Sequence, residues 1–92
     1  MAMSDVFAVT RTDDGEIYGQ RARVRQIVAT TAGSGSPAIT VKDGGASGTT
    51  RLTMAFTTSD VIAVNIPDNG IVFETDVYLD LTDCDSVTFF LS

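Results

Sequence analysis

Three arginines at alternating positions form the most regularly spaced set of chemically active side chains in this sequence. Arg21, Arg23 and Arg25 are separated by single small or apolar residues. In an extended strand, residues two apart share a face and lie about 7 Å from one another, so these like charges repel unless carboxylates neutralise them. Arginine is also well suited to bidentate contacts with carboxylates at interfaces. Two interpretations stay open: a solvated outer face, or a contact surface for an acidic partner.

Four aspartates near the end of the chain are the candidate ligands for a cation, namely Asp76, Asp80, Asp83 and Asp85. A calcium ion takes about six to eight oxygen ligands, and the residue order of an EF-hand loop is absent here. Asp80 is predicted on a strand face, whereas Asp83 and Asp85 flank a predicted turn. The pattern favours solvated turn acids over a cation site, and we expect neither a metal ion nor any other cofactor.

Catalytic side chains are scarce. The 92 residues include no histidine, one cysteine (Cys84) and one lysine (Lys42). A cysteine nucleophile needs a neighbouring base to activate it. A carboxylate pair that hydrolysed a glycoside would need a substrate cleft, for which a small sandwich has little volume. We therefore expect no enzyme activity, and a single cysteine also excludes a disulfide within the chain.

The hydrophobic pattern around these residues has a period of two, which is typical of β-strands. A first strand is predicted from Val6, and from Val61 onward the runs VIAVNI, IVFE, DVYLDL and SVTFFL follow one another. Turn signals lie at residues 12–15, at the Gly-rich stretch 43–48 and at residues 66–70. We predict an all-β chain: a small antiparallel β-sandwich or jelly-roll-like domain of seven to eight short strands.

The longest alternating segment, residues 21–31, divides its side chains between two predicted faces. One face comprises Arg21, Arg23, Arg25, Ile27 and Ala29, and the other comprises Ala22, Val24, Gln26, Val28 and Thr30. Strict alternation therefore places Ile27 and Ala29 on the same side of the sheet as the arginines.

Aromatic residues in the last strands add further interface candidates. Phe89 and Phe90 point to opposite faces of one predicted strand, so that one packs in the core and the other needs cover from a second sheet or a neighbouring subunit. Tyr78, beside Asp80, raises the same question for the preceding strand. The predicted interface residues are Arg21, Arg23, Arg25, Tyr78 and Phe90.

Size and charge limit the classes of function. A chain of 92 residues and 9.7 kDa is one domain, residues 1–92. The net charge is −6, all six basic residues precede Leu52, and seven acids follow it. We expect no nucleic-acid partner, because phosphate binding needs clustered Lys and Arg. The asymmetry is also compatible with a subunit whose basic strand meets a neighbour's acidic end.

Localisation and assembly follow from the same composition. No apolar run approaches the roughly 20 residues of a membrane helix, and the first residues lack the features of a secretory signal, so we expect no membrane partner and synthesis in a cytoplasm. A small domain without a disulfide or a metal has a thin core, and oligomerisation is the remaining means of support. We expect a homo-oligomer, with a trimer as the first choice.

Two later segments resemble a pattern found in small tailed-phage proteins. VKDGGASGTTRLTMAF precedes IPDNGIVFETDVYLDLTDCDSVTFFLS, so that a Gly-rich hairpin is followed by G-I-x-F-x-x-x-x-Y and a closing V-T-x-F strand. The positions that carry the resemblance are Gly70, Ile71, Phe73, Tyr78, Val87, Thr88 and Phe90. The resemblance covers roughly the last 55 residues. It implies a virion component with a β-sandwich fold and symmetric assembly: a capsid-decorating or cement protein, or a small part of the tail or neck.

Two hypotheses of function follow. The first is a homo-oligomeric decoration or cement protein, located in the virion and bound to a capsid or tail protein. The alternative is a small tail or neck component, or a module that binds glycans on the host surface. The absence of tryptophan favours the first hypothesis, because glycan sites usually offer exposed aromatic rings for stacking.

Overall fold

The computed structural model describes residues 6–66 and 70–92, and every regular element within them is a β-strand. These described residues form nine strands: β1 (Phe7–Arg11), β2 (Gly15–Tyr18), β3 (Ala22–Thr31), β4 (Ala38–Asp43), β5 (Thr49–Ala55), β6 (Val61–Asn65), β7 (Ile71–Phe73), β8 (Val77–Thr82) and β9 (Cys84–Leu91). In this part of the chain no helix is long and apolar enough to cross a membrane.

The strands form two sheets in which every pairing is antiparallel. Sheet A has the order β1-β9-β3-β6, with β7 also paired with β3, and sheet B has the order β2-β8-β4-β5. Both β6 and β7 lie along the same edge of β3, β6 beside residues 26–30 and β7 beside residues 22–24. The all-β prediction is confirmed. The described residues hold nine strands instead of seven or eight because one edge position of sheet A is divided between two short strands.

The chain follows the path of one long hairpin whose tip is the β4–β5 turn. Outward from the tip, β4 pairs with β5, β3 with β6 and β7, β2 with β8, and β1 with β9. The hairpin is wrapped so that β9 also pairs with β3, and β8 with β4. This winding is that of a jelly roll, which places strands that are distant in sequence side by side.

The two sheets enclose one apolar core between their inner faces. The largest fully buried side chains come from both sheets and are Phe73, Phe89, Ile27, Ile39, Leu79, Leu91, Val24, Val41, Val77 and Val87. Burial of one such side chain stabilises the fold by about 1.5 to 3 kcal/mol. As predicted, Phe89 and Phe90 face opposite ways: Phe89 lies in the core, while Phe90 is partly exposed.

Two β-bulges in the β3–β9 pair control which residues of these strands face the core. Between Val24 and Gln26, β3 advances by two residues while β9 advances by one, so Arg25 is the extra residue. Near the other end of the pair, Asp85 is the extra residue on β9. Each bulge adds one residue to its strand, and in both strands this extra residue is charged. Beyond the bulge, each side chain faces the side opposite to the one that regular alternation would give it.

The prediction of strict alternation through residues 21–31 is wrong beyond the first bulge. Ile27 and Ala29 are buried on the same side as Val24, and they do not share the face of the arginines. The physical reason is the extra residue at Arg25, which moves every later side chain of β3 to the opposite face. The core therefore gains two apolar side chains that strict alternation would have placed outside.

The predicted compact turn at residues 66–70 includes residues 67–69, which lie outside the described residues, as do residues 1–5. The turn's last position is described: Gly70 has a left-handed φ of 82°. A Cβ atom there would collide with the carbonyl oxygen of Val24. Only glycine therefore fits where the chain passes closely along β3.

Candidate functional site

The outward side of sheet A, hereafter the A face, has a broad uncharged middle. The pairing register and the burial pattern place on it Ala8, Thr10, Gln26, Val28, Thr30, Val61, Ala63, Asn65, Val72, Thr88 and Phe90. Val61 is one of the most exposed large apolar residues of the described chain, at 64%. A broad sheet side without charge is uncommon on a protein surface that faces only water, and it is typical of a contact surface.

The middle of the A face is a row of small and β-branched side chains across four strands. Thr10, Thr88, Val28 and Ala63 are successive neighbours in this row. The hydroxyl groups of Thr10 and Thr88 hydrogen-bond to each other at 2.7 Å, so their polar atoms satisfy one another. A row of small side chains lets a second sheet approach closely.

One end of the A face is basic. Arg23 pairs with Ser92 through backbone hydrogen bonds in both directions, and the Arg25 Nη1 atom donates to the Ser92 hydroxyl at 3.3 Å. Among residues 6–66 and 70–92, the ion pairs include neither Arg23 nor Arg25. Arg21 precedes β3 and pairs with Glu74 at 3.3 Å, with both side chains more than half exposed, so this ion pair contributes little to stability.

The opposite end of the A face is acidic. Asp60 comes directly before β6, Asp83 directly before β9, and Asp85 occupies the second bulge, and all three are exposed. Asp60 and Asp83 also accept hydrogen bonds from the backbone amides of Val61 and Ser36 at 2.8 and 2.9 Å. The A face therefore has opposite charges at its two ends and an uncharged middle.

The outward side of sheet B is polar and contains an ion pair between two of its strands. Lys42 donates to the Asp80 carboxylate at 3.4 Å and to the carbonyl of Ala46 at 3.0 Å. Tyr78 lies beside Lys42 on this side, flanked by Glu16 on the neighbouring strand. This side of the molecule resembles an ordinary solvated surface.

The structure does not bring the five predicted interface residues together. Arg23, Arg25 and Phe90 share the A face, Tyr78 lies on the opposite side of the sandwich, and Arg21 lies at the entrance to β3. The prediction treated Tyr78 and Phe90 alike because both were outward aromatic residues. Sequence alone does not tell which sheet a strand joins.

Asp43 forms a buried contact that the sequence analysis missed. Its carboxylate, 4% exposed, accepts hydrogen bonds from the backbone amides of Glu74 and Thr75, both at 2.8 Å, and from the Arg51 guanidinium at 3.3 Å. The Glu74 and Thr75 amides are the main causes that hold the pKa of Asp43 below 3.8, with smaller contributions from Asp76 and Arg51 against the opposing effect of burial. Asp43 thus fastens the β7–β8 connection to the end of β4.

Asp76 makes a reciprocal contact, from the β7–β8 connection to the β4–β5 turn. Its carboxylate accepts from the backbone amides of Gly44 and Gly45 at 2.8 and 3.0 Å, and so holds the β4–β5 tip. We call the two contacts together the Asp43–Asp76 clamp. Sequence reading treated Asp43 only as the start of a hairpin turn and Asp76 as a candidate cation ligand. Within the described ranges, no group of three or more His, Cys, Asp or Glu side chains is arranged to hold a metal ion.

Cys84 is buried at the start of β9. Its Sγ atom lies 3.4 Å from the carbonyl oxygen of Thr82. Burial raises the pKa of the thiol above 9.0, and the neighbouring charges of Asp83 and Asp85 act in the same direction. The sulfur is therefore a packing group in its protonated form and not a nucleophile.

An open groove of ≈ 410 Å³ lies at one end of the sandwich, between the β3–β4 and β5–β6 connections. Pro37 and Phe56 form its apolar part, and Thr57 and Thr58 supply hydroxyl groups. Phe56 also packs in part against the core, so its ring is not free on both sides.

No protein-family model, no curated protein and no solved structure matches the chain at a significant level. The fold and the surfaces described above therefore carry the functional argument, with the A face as the main candidate site.

Proposed function

We propose that this chain is a structural component of a bacteriophage virion, a homo-oligomeric decoration or cement protein that stabilises the capsid through protein–protein contacts. The single observation that carries the proposal is the A face, a sheet surface with an uncharged middle, a basic end and an acidic end. Such a surface is suited to binding another protein in one orientation. The proposal includes location in the virion after synthesis in the host cytoplasm, and no enzyme activity.

The fold supports the proposal at a coarser level. Jelly rolls occur in viral capsid proteins as well as in lectins and other domains. Because one fold serves many functions, this likeness is support by analogy and carries no residue-level argument. The resemblance of the segment 41–92 to small tailed-phage proteins points in the same direction.

The mode of action would be many weak contacts made at once. A capsid or tail lattice offers the same binding site repeatedly, and a linked second contact behaves as an intramolecular one. A trimer, the order expected from the sequence, would engage three such sites. The net charge of −6 would keep free subunits away from packaged nucleic acid.

Mass spectrometry of purified particles tests the proposal. The chain should be present in intact virions in many copies, and it should leave them when the particles are dissociated. Its absence from intact virions, together with its presence in the lysate, would remove the proposal.

Charge reversal tests the contact surface. Replacing Arg21, Arg23 and Arg25 together by Glu should weaken binding to the particle, and high salt should reproduce part of the loss, because screening weakens exposed charge pairs. A matched control is Lys42→Glu on the opposite side of the sandwich. Equal binding by the triple variant and the unchanged chain would show that the arginines are only solvated.

The second candidate is a module that binds glycans on a host surface, and the groove beside Phe56 is the observation that favours it. Pro37, Phe56 and the threonine hydroxyls resemble the apolar and polar parts of a shallow sugar site. Phe56→Ala and a glycan array distinguish the candidates. Selective glycan binding that is lost in the variant would support the second candidate over the first.

A further inference from the structure

We propose that the A face binds the A face of a second copy of this chain, in a two-fold pair whose axis runs across the strands. The inference concerns the free chain in solution, where no particle protein competes for the A face, so it stands independently of the location in a virion. It rests on the order of charges along the A face and on the position of the two bulges.

The charges select a second copy as the partner. Arg23 and Arg25 lie at one end of the A face, and Asp60, Asp83 and Asp85 lie at the other. Along β3, the distance from the Arg25 bulge to the end of the strand opposite Asp85 is about 17 Å to 20 Å at the usual rise per residue. A surface with this order is complementary to itself, which is the requirement for an isologous contact.

The same charges select the orientation of the pair. A two-fold axis parallel to the strands would place the basic end of one copy over the basic end of the other, with repulsion at both ends. An axis across the strands places Arg23 and Arg25 of each copy over the acidic end of its partner. Like charges in contact across an interface repel, so the second arrangement is favoured.

The bulges place charged residues at the two ends of the A face. At each bulge two consecutive residues point outward, Arg25 with Gln26 and Asp85 with Ser86, between neighbours that point into the core. The bulges therefore put an arginine and an aspartate on the A face without disturbing the uncharged middle. The uncharged middles of two A faces can therefore pack at the usual distance between sheets, about 10 Å.

The area of the A face limits the affinity expected for the pair. Four strands at about 4.8 Å and seven residues at about 3.3 Å span about 440 Å² per copy, or roughly 900 Å² in total. This area is typical of weak and transient interfaces, so we expect a dissociation constant in the micromolar range or above. The pair is a different assembly from the expected trimer, because an isologous contact closes with two copies.

Sedimentation equilibrium of the full chain, from micromolar to millimolar concentration, tests the inference. The expected result is a concentration-dependent shift from 9.7 kDa to twice that mass. Ala63→Glu on the A face should raise the dissociation constant tenfold or more, and Ala55→Glu should leave it unchanged. These two alanines form a matched pair, since both are exposed on edge strands and face outward from opposite sheets.

A charge swap tests the orientation. Arg25→Asp and Asp85→Arg should each weaken the pair by about tenfold, and the double variant should recover most of the loss. Circular dichroism and the unfolding midpoint show that each variant is folded. A monomer at every concentration, a mass of three copies that Ala63→Glu does not change, or a double variant weaker than both single variants would each overturn the inference.

Discussion

At the Asp43 carboxylate, four donors converge on two oxygen atoms: the amides of residues 74, 75 and 76 and the guanidinium of Arg51. Charge-assisted hydrogen bonds of this kind are stronger than neutral ones. Because the side chain is almost fully buried, water cannot replace a lost partner. Asp43 is therefore a residue at which a small chemical change has a large structural effect.

Asp43→Asn should lower the free energy of unfolding by about 2 to 3 kcal/mol, because the amide nitrogen presents hydrogens to donors that need an acceptor. Denaturant unfolding followed by circular dichroism measures the change. Asp13→Asn, in an exposed ion pair, is the control, with an expected loss below about 0.5 kcal/mol. Equal losses in the two variants would contradict the role of the clamp.

The pH dependence of stability follows from the same carboxylate. Its folded pKa lies below the unfolded value of 3.8, so the native state favours the ionised form. This contribution is complete above the unfolded pKa and disappears as the pH falls through the lower folded pKa. The difference in stability between the unchanged chain and Asp43→Asn should therefore shrink on acidification below 3.8. A difference that stays constant with pH would contradict this explanation.

Cys84 should react slowly with thiol reagents in the native state, because it is buried and its pKa is raised. Labelling with a disulfide reagent at neutral pH should proceed only as the protein opens, and fully in denaturant. An Ala55→Cys variant, with a second thiol that is exposed on sheet B, gives the reference rate. Native labelling of Cys84 at that reference rate would refute the prediction.

The sequence predicted the direction in which side chains point better than it predicted their hydrogen-bond partners. The sequence correctly indicated that Phe89 and Phe90 face opposite ways, since alternation within one strand is a local property. It did not indicate the partners of Asp43, because these are backbone amides about 30 positions further along the chain and backbone amides have no sequence signature. The same limit applies to Tyr78, whose side of the molecule depends on the pairing of β8.

Among the elements, β3 has the most neighbours, because it pairs with β9 on one edge and with β6 and β7 on the other. Its bulge at Arg25 lies level with the gap between β6 and β7, where the amide of Ile66 donates to the Arg25 carbonyl at 3.0 Å. The irregular backbone thereby keeps a hydrogen-bond partner. Bulges are local distortions that sequence patterns seldom reveal, which explains why the face assignment failed only beyond this point.

Deletion of single residues from β3 tests the bulge. Removing Arg25 leaves Val24 and Ile27 facing the core with one outward residue between them, so a regular strand results. Removing Val28 turns Ala29 and Thr31 away from the core. Deletion of Arg25 should therefore keep a cooperative unfolding transition, whereas deletion of Val28 should abolish it, as measured by thermal unfolding. Equal loss from both deletions would contradict the register.

For the whole molecule, the jelly-roll winding explains how a chain of 9.7 kDa builds a two-sheet core. Strand existence was predictable from alternation and turn signals. The order of strands in the sheets was not, because β9 pairs with β1 and β3 from the far end of the sequence. The identity of the surface that could bind a partner depends on that order, and it emerged only with the fold.

Refolding should be slow for a domain of this size, in the range of milliseconds to seconds, because most sheet pairings join distant parts of the chain. Stopped-flow measurements of tyrosine fluorescence or circular dichroism after dilution from denaturant give the rate. Folding within microseconds would be inconsistent with this winding.

The position of β9 between β1 and β3 also has a consequence for synthesis on the ribosome. Neither β1 nor β3 meets this neighbour until the codons for residues 84–91 have been translated. The β4–β5 hairpin can form earlier, but sheet A stays divided, with open strand edges on both sides of the missing position. A prematurely terminated product thus lacks the strand that joins the two parts of the A face, so that only the chain translated through β9 can present a complete surface for assembly.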